Sequence, residues 1–190
     1  MESRNIMIVG VGGQGTLLAS KLLGRILLEN GYDVKVSEVH GMSQRGGSVV
    51  TYVRYGEKVY SPIIDKGEAD IIISFELLEA ARWVEYLKEG GILLTNTQRI
   101  NPMPVITGAA EYPKSLEQKL AALPIRLDAM DALGLALQAG SAKAVNLVLL
   151  GRLSKYFHFT DEQWQDAIQK SVPAKFLELN QKAFALGAES

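Results

Sequence analysis

Asn5-Ile6-Met7-Ile8-Val9-Gly10-Val11-Gly12-Gly13-Gln14-Gly15 is the stretch on which the reading of this chain turns. The apolar run over residues 5–9 predicts a short buried strand, and Leu18, Leu22, Leu23, Ile26 and Leu27 then recur at helical spacing until Asn30-Gly31 stops them. Residues 32–39 alternate like a second strand, so residues 5–39 read as a βαβ unit with a glycine turn at its first junction. The turn fits GxGxxG in the place where that pattern has a physical meaning, after a strand and before a helix. Gly10 permits the tight turn, Gly12 lets backbone approach a phosphate, and Gly15 allows close helix packing. The unpaired N–H groups and the dipole of the helix then face an anion. Gly10, Gly12, Gly13, Gln14 and Gly15 are therefore candidate anion- or cofactor-binding residues. The competing reading is a tight turn selected for packing alone.

Glu38 extends that set. It ends the second strand 23 residues after Gly15, where a nucleotide-binding fold places the acid that holds a ribose. His40, two residues on, shares its face. Next, Ser43-Gln44-Arg45-Gly46-Gly47 joins an arginine fork, suited to a phosphate or carboxylate, to two glycines that let backbone come close to a partner. With Met42 these residues form a candidate loop presented to a partner or to its active centre; a plain solvent loop is the alternative.

Further along, residues 48–54 have strand character, and residues 59–64 are expected to return as the hairpin mate. Residues 70–75 form a run suited to a strand covered on both faces. Ser74 is the expected cap of the next helix, and Gly90-Gly91 its expected stop. Residues 92–95 and 125–127 read as strands, with a short strand possible at Val105-Ile106. From Lys114 the period is mainly helical: Asp128 and Ser141 are candidate caps, Thr160 with Gln163 a capping box, and Gly187 the end of a last stripe carrying Phe176, Leu179, Ala183 and Leu186. The expected fold is one α/β domain over residues 1–190. It is Rossmann-like and doubly wound, a mostly parallel sheet with helices on both faces and a helix-rich C-terminal part.

Composition narrows the chemistry. The 190 residues include no cysteine and two histidines, so thiolate catalysis and a Cys-ligated cluster are excluded from this chain, and no zinc-ligand spacing is present. No catalytic residue and no metal ligand is assigned. A net charge of -1, from 20 basic and 21 acidic residues, supplies no field for nucleic acid or acidic lipid. With no membrane-length apolar run and no signal-type N-terminus, a cytoplasmic protein is expected.

The glycine turn and the segment Glu38-Val39-His40-Gly41-Met42-Ser43-Gln44-Arg45-Gly46-Gly47-Ser48-Val49 together resemble the gamma-type subunits of the thiamine-dependent 2-oxoacid:ferredoxin oxidoreductases. The likeness continues through Tyr60-Ser61-Pro62-Ile63-Ile64, Gly67-Glu68-Ala69-Asp70, Phe75-Glu76 and Leu78-Glu79-Ala80, and covers nearly the whole chain. Residues 144–151 and 172–184 are similar to the small subunit of the indolepyruvate branch. The resemblance implies a complex that converts a 2-oxoacid to an acyl-CoA and CO2 while reducing ferredoxin. Thiamine diphosphate and the iron–sulfur clusters would sit on a large partner subunit, with CoA bound in the complex and no cofactor assigned to this chain. Two rivals stand beside it: a free-standing NAD(P)-dependent reductase, and a nucleotide-sensing binding module.

Overall fold

A computed structural model of the chain describes residues 3–40 and 46–190. Its strands are β1 (Arg4–Val11), β2 (Asp33–His40), β3 (Ser48–Gly56), β4 (Ala69–Ser74), β5 (Leu87–Asn96) and β6 (Arg126–Met130), in the sheet order β2-β3-β1-β4-β5-β6. β1, β4, β5 and β6 run parallel, while β3 is antiparallel to both β1 and β2. The first two strands are thus not neighbours. β3 pairs antiparallel with β2 and takes the place beside β1 that an uninterrupted βαβ unit would give to β2.

β1 shows why its sequence is apolar at every position rather than alternating. Ile6 and Ile8 point to one face and Met7 and Val9 to the other, all fully buried. The first face is covered by α1 (Thr16–Glu29) and by the C-terminal helices α5 (Ala132–Ala139), α6 (Val145–Ser154), α7 (Asp161–Ser171) and α8 (Leu177–Glu189). The second is covered by α2 (Leu77–Trp83) and α4 (Leu116–Ala121), while a single turn, α3 (Met103–Ile106), stays exposed in the connection between β5 and α4. Winding from β1 through α1 and from β4 through α2 to opposite faces makes the sheet doubly wound, as its pattern predicts.

Several local expectations are overturned. Residues 59–64 form no strand, because β2 already occupies the free edge of β3. The cap of α2 is Glu76, whose carboxylate accepts from Glu79 N, while the Ser74 hydroxyl donates to Glu76 O at 2.7 Å. Gly90-Gly91 lies inside β5, with Gly90 N bonded to Pro124 O at 2.9 Å, and a 3-10 turn at Val84–Tyr86 ends the helix instead. Val105 and Ile106 belong to α3, not to a strand. Asp128 sits within β6; Asp131 caps α5 through Gly134 N. The Thr160–Gln163 capping box forms with both of its bonds, and Ser141 caps a 3-10 turn that leads into α6.

Gly187 does not end α8. It lies where α8 crosses α6, and a Cβ placed on it would be 2.0 Å from Val148 O, as one on Gly151 would be 2.0 Å from Phe184 O. The two glycines let the helix backbones touch, so their role is close approach rather than termination.

Candidate functional site

The crevice at the carboxyl ends of β1 and β4, where the connections part to opposite faces, is where such a sheet presents its ligand site. The glycine turn that follows β1 lies there. Its shape is set from within: Val11 N donates to Gln14 Oε1 (2.8 Å), and Gln14 Nε2 donates to Phe75 O (3.0 Å), which also accepts Asn96 Nδ2 (3.1 Å). Gln14 therefore uses its side chain to lash the turn to the ends of β4 and β5. Its amide is occupied inside the protein, so what remains of the anion-site reading is carried by backbone.

Gly15 is the N-cap of α1 with φ +87°, and no side chain caps the helix there. A Cβ at this position would be left-handed and 2.7 Å from Asn146 Nδ2, an amide of α6 that donates to Gly15 O at 3.4 Å. Two constraints thus require glycine: the turn's handedness and the approach of α6. Since the first-turn N–H groups of a helix have no acceptor within it, this uncapped end favours negative charge.

The turn divides two clefts. One, of about 390 Å3, is lined by Gly12, Gly13, Thr16, Glu38, His40 and Val49. The other, of about 370 Å3, lies between Gly13, Gly15, Gln98, Ile100 and Lys143. The structure thus brings Glu38 into one cleft with the turn, as its spacing predicts. It does so across an intervening strand, with Thr51 Oγ1 of β3 donating to Glu38 Oε2 at 3.5 Å. Gly10 lies within β1 opposite Val49, beneath the turn.

The glycines of the second segment meet the first. Gly12 N donates to Gly47 O (2.9 Å) and Gly46 N to Gly12 O (3.4 Å). The two glycine motifs, more than thirty residues apart, are one backbone-bonded unit. This pairing occupies the Gly12 N–H that the sequence pattern would offer to a phosphate, so that Gly12 lines its cleft without a free amide beside Gly13, Gly15 and Thr16. Met42, Ser43, Gln44 and Arg45 lie outside the described residues.

Two buried acids complete the surroundings, and no role follows for them from the sequence beyond their place in the resemblance. Glu76, only 1% exposed, accepts Glu79 N on Oε2 (2.8 Å), and both Ile100 N (3.0 Å) and Tyr112 Oη (2.5 Å) on Oε1. Burial first, then the bond to Glu76, pushes the Tyr112 hydroxyl above the ordinary tyrosine range. Glu76 thereby ties the 98–112 connection to the start of α2. Glu79 accepts the Ser48 hydroxyl on Oε2 at 2.5 Å. A signal was available: two glutamates three apart at the entrance of a helix suit its N-terminal dipole.

Among the described residues no group of three His, Asp or Glu side chains converges as a metal site, and no helix is long and apolar enough to cross a membrane. Without cysteine, the chain has no ligand set for a Cys-bound cluster.

A family model described as pyruvate ferredoxin/flavodoxin oxidoreductase matches residues 5–190. Over its full length the chain is 46% identical to the indolepyruvate oxidoreductase subunit IorB of Thermococcus kodakarensis, covering 96% of that protein. It is 45% identical to the IorB subunit of Pyrococcus horikoshii, again over all of this chain and 96% of the other. Among solved structures, the pyruvate oxidoreductase subunit PORC of Thermotoga maritima superposes with a TM-score of 0.77 at 23% identity, over 100% of this chain and 97% of that one, a likeness of fold.

Proposed function

Because this chain belongs to the pyruvate ferredoxin/flavodoxin oxidoreductase family and is a small subunit of a 2-oxoacid:ferredoxin oxidoreductase, we propose that its complex acts on an arylpyruvate such as indolepyruvate. The reaction takes the 2-oxoacid anion, CoA and two oxidised ferredoxins to an aryl-acetyl-CoA, CO2, two reduced ferredoxins and a proton. The observation that carries this reading is identity of 46% across all of this chain and 96% of the relative.

The iron–sulfur clusters belong on a large partner subunit, since a chain without cysteine offers no thiolate ligands for them, and we assign thiamine diphosphate to that subunit as well. Its own part is binding and orientation. The N–H groups at the start of α1 receive a phosphate or carboxylate in the cleft beside Glu38, and the segment around Arg45 faces the partner. Glu38, itself an anion, suits a hydroxyl of the bound molecule rather than its phosphate.

The test is reconstitution. The purified chain alone should reduce no viologen dye with any 2-oxoacid, while a mixture with the large subunit should do so, with kcat/KM higher for indolepyruvate than for pyruvate. Arg45→Glu should keep the melting temperature of the chain and lower the activity of the mixture or the affinity of the subunits, with Arg45→Lys between. Dye reduction by the isolated chain, or a preference for pyruvate, would overturn the corresponding part of the reading.

A further inference from the structure

Ser48 stands at the junction of three pieces of the fold. Before it in the chain, Gly46 and Gly47 exchange backbone hydrogen bonds with Gly12. After it, β3 runs beside β1, with Ser48 opposite Val11. Across from it, Glu79 of α2 accepts its hydroxyl at 2.5 Å and Trp83 Nε1 at 3.3 Å, while Arg82 Nε lies 3.6 Å from the other carboxylate oxygen. The Glu79 side chain is only 6% exposed. A carboxylate withdrawn from water is costly unless it is satisfied by charge-assisted hydrogen bonds, and an apolar residue would pack α2 at least as well if stability alone were served. The acid is instead placed to grip the residue that leads from the glycine pair into β3.

We propose that Glu79 is a positioning residue, which by holding Ser48 fixes Gly46 and Gly47 against Gly12 and so sets the wall of the cleft beside the N-terminus of α1. The linkage runs from α2 through Glu79 and Ser48 to Gly47 O and Gly12 N, two hydrogen bonds joined by the Gly47–Ser48 peptide link. Glu76 steadies its base by accepting Glu79 N. The inference rests on the reading of the glycine turn as the binding cleft of a 2-oxoacid oxidoreductase subunit.

Ser48→Ala removes the grip and leaves the fold of α2 in place; Ser48→Thr keeps the hydroxyl. Amide hydrogen exchange on the full chain should show the Gly12 N–H exchanging at least tenfold faster in Ser48→Ala, with amides in the middle of β1 and β4 unchanged and Ser48→Thr close to the parent. In the reconstituted enzyme, Ser48→Ala should raise KM for CoA or for the 2-oxoacid threefold or more, with kcat within twofold, and Ser48→Thr should restore it. Glu79→Gln, which keeps the shape and one acceptor oxygen, should move both readouts in the same direction by less, and it carries the test if Ser48→Ala does not fold. Unchanged exchange at Gly12, or faster exchange with both KM values unmoved, would overturn the proposal. An assembly of parent subunits inactive on every 2-oxoacid would instead overturn the functional reading on which it rests.

Discussion

Asp128 illustrates how a single side chain changes meaning between sequence and structure. As a helix cap it would face solvent; in β6 its carboxylate instead accepts Arg152 Nε at 2.8 and 3.1 Å and Tyr156 Oη at 2.6 Å. Burial works to raise its pKa, but the bonds from Arg152 and Tyr156 outweigh it and hold the group below its ordinary value. The tyrosine is moved the other way. Burial first, then the hydrogen bond to Asp128, pushes Tyr156 up to about 12. The two groups therefore act at opposite ends of the pH scale. The stabilisation from Asp128 is present above the pKa of the unfolded carboxyl and is lost as pH falls through the lower folded value. That from Tyr156 is complete below the ordinary tyrosine value of 10.0 and is lost as pH rises toward about 12. Tyr156→Phe should accordingly flatten the alkaline fall in stability between those values and make the acid limb shallower without abolishing it, because Asp128 loses one partner and keeps Arg152, measured as urea midpoints across the range. Superimposable alkaline limbs in parent and variant would mean that the hydroxyl contributes nothing through Asp128.

At the scale of elements, α6 and α8 cross with their backbones in close approach. Each helix places a glycine under the backbone of the other, and the crossing leaves no room for a methyl group at either position. The apolar residues around it, including Leu147, Leu150, Ala183 and Phe184, are buried because the two axes approach so nearly. Gly187→Ala should remove about 3 kcal/mol of stability, at the upper end of the usual cost of overpacking, because backbone atoms must give way rather than a flexible side chain. Gly24→Ala in α1 is the control, since a Cβ there would meet only Val36 at 3.9 Å, and helix propensity should make it neutral or mildly stabilising. Chemical denaturation of the two variants separates the effects, and equal midpoints would contradict the crossing.

For the whole molecule, the consequential feature is the position of β3. Strands lie about 4.8 Å apart, so inserting β3 between β1 and β2 carries Glu38 roughly one strand farther from the glycine turn than an uninterrupted βαβ unit would. The same insertion brings Gly47 O onto the Gly12 N–H. Both changes act against a dinucleotide held in the usual way, its pyrophosphate on the turn and its ribose on the acid. NAD or NADP at millimolar concentration should therefore leave the melting temperature of the chain within 1 °C, roughly the shift expected from binding too weak to stabilise by a few tenths of a kcal/mol. A clear saturable rise would revive the free-standing reductase.

What the sequence determined by itself is what depends on neighbours along the chain. The strand, glycine turn and first helix follow from apolar spacing, the Thr160–Gln163 box from two residues three apart, and the absence of a thiolate site from composition. The membership of Glu38 in the cleft was legible too, since a strand end at that spacing returns to the same edge of the sheet. Only the tertiary structure decided which strands are neighbours, and so that β3 lies between β1 and β2. Pairing order is a contest between alternatives of similar local pattern, settled by what each arrangement buries. The roles of Gln14, Glu76, Glu79, Asp128 and Gly187 were hidden for the same reason. Each is defined by a partner from another element: Phe75 O, Tyr112, Ser48, Arg152 and Val148. A polar side chain or a glycine reads alike as cap, surface or hinge until the fold supplies the atom it meets.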